Sequence, residues 1–409
     1  MKSTTTREPA QDVRNTRKPV ISPQGLRLAI QRRITHGDLG PWPVLVVLAL
    51  IWILFQSQND RFLTARNLSN LILQIGVVGA LAIAVVIVLL LGEIDLSLGA
   101  VTGVTAGVLG VLLVDRGWVS LFAILATLAA GAVIGLIHGL VTVYVGVPSF
   151  IVTLAGLLAW QGVQLMLLGN AGELLVLDQT TRAIASDYLT ATQSWVIGAI
   201  FILGYAWMEW RRRARRLHAG IEAEGLAQFW LRVCAVAVVV LGLIALLNAY
   251  FGVPYMLVLL VGLVLLFGWF TARTVFGRHM YAIGGNSEAA RRAGIRVGAV
   301  TIVCFVFSSL LASVAGILSV SRQFSVSTGT GGGTLLLDAI AAAVIGGTSL
   351  FGGRGKIYQA LLGALVIGSV ENGLDLLGQP TSVKNIATGV ILVIAVGIDA
   401  LSRRRRRAN

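Results

Sequence analysis

Acidic side chains are scarce for the length of this chain: 18 Asp and Glu stand among 409 residues, against 32 Lys and Arg, and all charged residues together reach only 12%. Soluble domains carry about 25% charged side chains and about 45–50% apolar ones. Here the apolar share is 56%, which excludes a soluble globular protein and leaves an integral membrane protein. Cysteine is nearly absent as well. Cys234 and Cys304 both sit inside apolar runs, so they read as small hydrophobes and imply no disulfide framework. The four histidines, His36, His138, His218 and His279, are scattered, with no Cys or carboxylate at ligand spacing, and support neither a metal site nor a catalytic triad. A G-x-x-x-x-G-K-[ST] loop is missing too: Gly355-Lys356 is followed by Ile357 and position 350 is Leu, so no phosphate cradle is built.

What fills the chain instead is long apolar runs. At about twenty residues per helical crossing the length accommodates about 10–12 spans, which predicts an all-α polytopic membrane protein. Apolar helices are predicted at 41–56, 69–92, 99–114, 118–145, 150–168, 195–209, 233–250, 254–270, 298–320, 335–351, 357–378 and 383–402. The shorter runs, such as 99–114, can equally be re-entrant. The basic residues fall into four blocks between or outside these runs: the tail 1–40, the insertion 209–232, the hairpin 273–297 and the tail 403–409. The membrane-embedded body is thus 41–402. An excess of Lys and Arg marks cytoplasmic loops, and an even number of runs separates every pair of blocks, so both termini are expected in the cytoplasm. The same ladder puts Gly169 to Ser194 outside, where Glu173, Asp178 and Asp187 outnumber Arg182. The basic blocks lack interleaved aromatics, which argues against a nucleic-acid partner. The tail before Pro41 and the uncleaved pattern after the first run read as a signal-anchor in the bilayer.

The polar island Gly277 to Val297, GRHMYAIGGNSEAARRAGIRV, is structured by its own residues. Gly284, Gly285 and Asn286 allow a tight turn tolerant of left-handed backbone. Asn286 or Ser287 can cap a helix beginning at Glu288, whose charge suits a helix N-terminus, and Gly294 supplies the stop. The expected product is a helix of about two turns displaying Glu288, Arg291 and Arg292. From the residues alone, a ball for a partner's socket and an ordinary basic loop both remain open.

The spacing Glu288-Ala289-Ala290, three residues, Gly294 resembles the EAA loop of ATP-binding cassette importer permeases. FGRHMYAIGGNSEAARRAGI is similar to the version in the monosaccharide permease family that includes ribose, xylose and arabinose importers, and the Ile-x-Leu-Pro continuation of the wider motif is absent. GEIDLSLG at Gly92–Gly99 resembles that family's GGIDLSVG signature, with Glu93 in place of a glycine; PSFIVTLAGLLAWQG from Pro148 and GGTSLFGGRGK from Gly346, followed by Glu371-Asn372-Gly373-Leu374, complete the pattern. The Arg-rich insertion at 209–232 brings the chain nearer xylose-type permeases. The resemblance implies a type II importer-like permease in the bacterial inner membrane. It also implies a second permease copy as homodimer, two cytosolic ATPase domains that use ATP and Mg, a periplasmic sugar-binding protein, and no cofactor in this chain. It assigns ATPase coupling to Gly277, Arg278, Gly284, Gly285, Asn286 and Glu288, and onward to Ala289, Ala290, Arg291, Arg292 and Gly294.

The substrate path is less defined. Asp95 and Glu93 lie beside apolar runs, where ionisable groups are costly, yet they can simply cap the helix near Ser97. Asn372 can bond a hydroxyl or a neighbouring helix, and Trp160 and Gln161 can stack on a sugar or pack. Gly131 with Gly135, and Gly363 with Gly368, permit close helix approach. STGTGGGT at 327–334 is expected to face the periplasm as a rim or connector. A self-contained ion-coupled secondary transporter is the alternative of another class; it leaves the basic hairpin without a task and has few intramembrane acids to work with.

Overall fold

A computed structural model describes residues 41–220 and 225–408. The predicted tail 1–40 and residues 221–224 of the insertion lie outside the described residues, and every contact below belongs to the unit that begins at Pro43. All twelve predicted apolar runs are helical. They are α1 (Trp42–Gln58), α2 (Ala65–Leu91), α3 (Leu98–Val114), α4 (Ser120–Leu140), α5 (Ser149–Leu168), α7 (Ala191–His218), α8 (Leu226–Asn248), α9 (Tyr255–Arg273), α12 (Val297–Gln323), α13 (Leu335–Ile345), α14 (Ile357–Leu376) and α15 (Thr381–Ala408). Three short helices stand between them: α6 (Gln179–Ser186), α10 (Val275–Gly285) and α11 (Ser287–Arg292). The basic end 403–409 is therefore an extension of α15 up to Ala408.

Eight of the described helices are long and apolar enough to cross a bilayer, while α1, α3, α13 and the apolar part of α15, Thr381–Ile394, are shorter. The expected 10–12 spans thus resolve into eight long helices and four short ones. The reason is visible at α3 and α13, each of which begins inside the bundle after an irregular segment. Backbone without helical hydrogen bonds is tolerated at membrane depth only where protein covers it, and both breaks are packed against protein.

The centre is α2. From Ile75 to Leu91 it is apolar on every face, and 83% of its most apolar 18 residues are buried, so this part reads as a continuous hydrophobic run rather than an amphipathic stripe. Around it α4 and α12 meet through glycines. A Cβ on Gly131 would lie 2.8 Å from Ser309 O, on Gly135 2.3 Å from Phe305 O, and on Gly139 2.8 Å from Ile302 Cα. With no side chain between them the two backbones touch, which supplies the dispersion contact that holds helices together in lipid. On α14, a Cβ on Gly363 would fall 1.8 Å from the Ala342 carbonyl oxygen, again backbone against backbone, whereas one on Gly368 would fall 2.2 Å from the Ile75 side chain that fills its place.

Opposite ends of the bundle differ in what they carry. At one end, a two-strand antiparallel ribbon, β1 (Glu173–Leu175) with β2 (Ser325–Ser327), joins the loop after α5 to the loop after α12. Asp178 caps α6, accepting from the Thr181 N–H at 2.8 Å and from the Ser120 hydroxyl at 2.9 Å. Partial burial would raise its carboxyl, but those hydrogen bonds outweigh it and hold the group below the usual carboxylate range. The ribbon was not legible in advance. Phe324, in left-handed backbone at φ 57, turns the chain from α12 into β2, and the Arg182 guanidinium sits 4.4 Å over its ring. The hairpin, the Arg211 block at the end of α7 and the loop before α14 share the other end.

Candidate functional site

Three local signals build the hairpin. Thr274 caps α10 by accepting from Gly277 N at 3.0 Å, and Gly277 itself lies so close to the Thr271 carbonyl, 2.0 Å from a would-be Cβ, that no larger residue fits. Asn286, of the two possible caps, closes the start of α11 by accepting from Ala289 N at 2.9 Å. Gly294, at φ 84, ends it. The faces then sort: Ala290, Met280 and Ile283 join the core, while Arg278, Glu288, Ala289, Arg291 and Arg292 are exposed. Glu288 also accepts from Arg292 Nε at 3.2 Å, a solvent-exposed pair that orders the display more than it stabilises it.

The expected turn at Gly284-Gly285 is a correction. Both glycines are the last residues of α10, neither has a positive φ, and only Asn286 leaves the helix. Tight packing is what needs the first one. A Cβ on Gly284 would fall 1.9 Å from Leu90 O and 2.4 Å from Gly353 N, whereas one on Gly285 would meet nothing. Gly353 N also donates to Leu90 O at 3.0 Å, and the Tyr281 hydroxyl donates to Gly355 O at 2.7 Å. Thus the hairpin, the C-terminus of α2 at Gly92 and the loop Gly346–Lys356 form one backbone-to-backbone junction. Three sequence motifs that lie far apart in the chain meet there.

From that junction the chain runs through 92–97 back into the bundle, and there Asp95 is 3% exposed. Its Oδ1 accepts from Ser97 N at 2.9 Å and Ser97 Oγ at 2.6 Å. The Ser97 hydroxyl also lies 3.4 Å from His138 Nδ1, and Trp160 Nε1 donates to His138 Nε2 at 2.9 Å. An indole nitrogen only donates, so His138 Nε2 accepts, and the neutral ring then carries its proton on Nδ1 toward Ser97. The result is a directed chain, Trp160 to His138 to Ser97 to Asp95, tying α5 and α4 to the break before α3. Asp95 Oδ2, buried and without a partner, is its open end. Asp95 thus does bond the backbone before α3, as a capping group would, while also ending a longer network. His138 was missed by the sequence reading. Gly156 on α5 makes room for it, since a Cβ there would lie 2.6 Å from His138 Nε2. Gln161, by contrast, stands on an exposed face of α5 and joins none of this.

Segment 327–334 is the second correction. Rather than rimming the outside, it packs down against α3, with a Cβ on Gly331 falling 2.2 Å from Gly99 O and 2.5 Å from Gly103 N. Buried Gln164 holds it there, donating from Nε2 to Ser327 O and Thr330 O, both at 3.0 Å. Gln164, three residues after Gln161, is thus the glutamine on this stretch that makes structural bonds.

The second polar centre lies at the ribbon end, on the order of 35 Å from the junction by the rise along α2. Asn372 Oδ1 accepts from Asn67 Nδ2 at 2.7 Å, and Asn372 Nδ2 donates to Gln74 Oε1 at 3.1 Å. These side chains, with Asn70, Arg322 and Asp375, line a cavity of about 300 Å³. Asn372 therefore bonds one neighbouring helix, α2, at two positions and lines a polar cavity at once.

A family model described as branched-chain amino acid transport system / permease component matches residues 67–396. The chain belongs to this family of transport permeases. It is 39% identical over 363 residues to the xylose transport system permease protein XylH of Escherichia coli K12, covering 88% of this chain and 92% of that protein. It is 31% identical over 370 residues to the ribose import permease protein RbsC of the same strain, covering 90% and 96%. It is 30% identical over 361 residues to the fructose import permease protein FrcC of Rhizobium meliloti, covering 88% and 85%. No solved structure matches. The chain is a multi-pass membrane permease of the importer type, a transport subunit rather than an enzyme.

Proposed function

We propose that this permease imports a monosaccharide, a pentose such as xylose, working as two copies with two cytosolic ATPases and a periplasmic sugar-binding protein. The observation that carries this is the capped hairpin α10–α11, exposed on its Glu288–Arg292 face and locked by Gly284 and Tyr281 to the breaks in the bundle. ATP and Mg act in the partner chains, and the hairpin end with both termini is cytoplasmic. Closure of the ATPases pushes on α11. The push passes through the junction to Leu90–Gly92 and the 346–356 loop, and so to the starts of α3 and α14. At the opposite, periplasmic end, the cavity lined by Asn67, Asn372 and Gln74 receives the sugar, because its amides offer both donors and acceptors to hydroxyl groups. Its volume, about 300 Å³, is at the small end of ligand sites, roughly 300–1,000 Å³. The xylose assignment draws on the name of the relative that is 39% identical.

Uptake by the complete importer in proteoliposomes tests this. Labelled xylose should accumulate only with internal ATP, should be indifferent to proton and sodium ionophores, and should resist competition by ribose and fructose. Uptake by this chain alone on an ion gradient would contradict the reading. Asn372→Leu should slow uptake by about tenfold or more, since it removes the acceptor of one Asn67 N–H and the donor to Gln74 Oε1 and puts an apolar side chain on the cavity wall.

A further inference from the structure

Where α7 leaves the apolar zone and α8 begins, at the hairpin end, five arginines wall a cavity of about 300 Å³: Arg212, Arg213, Arg215, Arg216 and Arg232, with Phe229 at its base. Among the described lining residues the one carboxylate, Glu209, is taken by Arg212 at 2.7 Å. Arg213 is the informative member. Its Nη1 is fully buried with no hydrogen-bond partner, an arrangement that is costly unless an anion supplies the acceptor. A planar guanidinium fork matches the oxygens of a phosphate, and Arg215 and Arg216 line the same cavity.

The depth of the cavity points the same way. α7 is 28 residues long, about 42 Å by helical rise, against about 30 Å of hydrocarbon, so its arginine-rich last turns emerge at headgroup level. Trp207, Trp210 and Trp230 are each more than half exposed beside it, as aromatics are at the membrane interface. Phe229 is packed edge-on by Trp210 at 5.8 Å and Trp230 at 5.2 Å, which fixes the floor of the cavity independently of the arginines.

We propose that this cavity binds a phosphate-bearing anion, either the headgroup of an anionic phospholipid or free phosphate. It lies on different helices from the hairpin and from the polar cavity, so it does not depend on the sugar assignment. The test uses the purified, delipidated full chain in neutral detergent, following its thermal midpoint as phosphatidylglycerol, phosphatidylcholine or inorganic phosphate is added. The expected result is that phosphatidylglycerol raises the midpoint, phosphatidylcholine does not, and Arg213→Gln weakens the apparent affinity about fivefold, the value of one basic group at an anionic surface. Arg213→Lys keeps the charge that sets topology and should lose part of the affinity with the fork, while Arg66→Gln at the other end of the bundle should lose none. Protection by inorganic phosphate without lipid, again lost in Arg213→Gln, assigns the site to free phosphate; protection by lipid alone assigns it to the membrane. Absence of protection by either anion, or protection unchanged in Arg213→Gln and Arg213→Lys, overturns the proposal.

Discussion

Gly284→Ala is expected to lower sugar-stimulated ATP hydrolysis by the assembled importer by about 5- to 150-fold, with the protein still inserted in the membrane. The added methyl would lie 1.9 Å from Leu90 O and 2.4 Å from Gly353 N, both backbone atoms, so no side-chain rotation relieves it. Overpacking of this kind costs about 1–3 kcal/mol, and here the strain falls on the contact proposed to carry the push. The neighbouring Gly285→Ala is the control. That methyl meets nothing within 4 Å and the residue is helical with no positive φ, so activity should be unchanged. Equal loss in both variants would mean that the hairpin tolerates no substitution at all and would remove the junction as the cause.

Gly135→Ala should act on folding instead. Its methyl would fall 2.3 Å from Phe305 O and 2.8 Å from Val306 Cα, forcing α4 away from α12 along the longest seam in the bundle. The expected cost is about 1–3 kcal/mol, read as a lower thermal midpoint in detergent and reduced yield from membranes. Gly131→Ala should cost less. Its closest clash, with Ser313 Oγ, is with a side chain that can rotate, although Ser309 O at 2.8 Å limits the relief. Gly204→Ala on α7, which meets nothing within 4 Å, should be neutral or slightly stabilising through helix propensity. A midpoint for Gly135→Ala equal to that of Gly204→Ala would show that α4 and α12 are not held at backbone distance.

How these features stand in the sequence follows from the range of the interactions behind them. The helices were legible because hydrophobic runs of this length have one solution in a bilayer, and the caps of α11 were legible because Asn286 and Ala289 are three residues apart. Close approach at Gly131, Gly135, Gly363 and Gly368 was readable from residue size, though not which helix each one meets. His138 was unreadable. Its partners Ser97 and Trp160 are 41 and 22 residues away, and nothing in its own neighbourhood marks it as other than a buried polar side chain. The descent of 327–334 into the bundle was hidden for a similar reason. A Gly-rich segment looks the same whether it is solvated or wedged against Gly99 and Gly103 of another helix. Gly284 was noticed for the wrong property, turn-forming freedom, when what its position requires is the absence of a side chain.

The central claim is that α11 is where ATP hydrolysis takes hold of this permease, and charge reversal on its exposed face tests it most directly. In the complete importer reconstituted with its ATPases and loaded binding protein, Glu288→Arg with Arg291→Glu should leave the bundle folded, since both side chains are exposed and neither contributes to the core. Hydrolysis stimulated by the sugar-loaded binding protein should fall to the unstimulated level, and uptake should stop. Stimulated hydrolysis and uptake at wild-type rates in that variant would contradict the account and leave the hairpin as an ordinary basic loop.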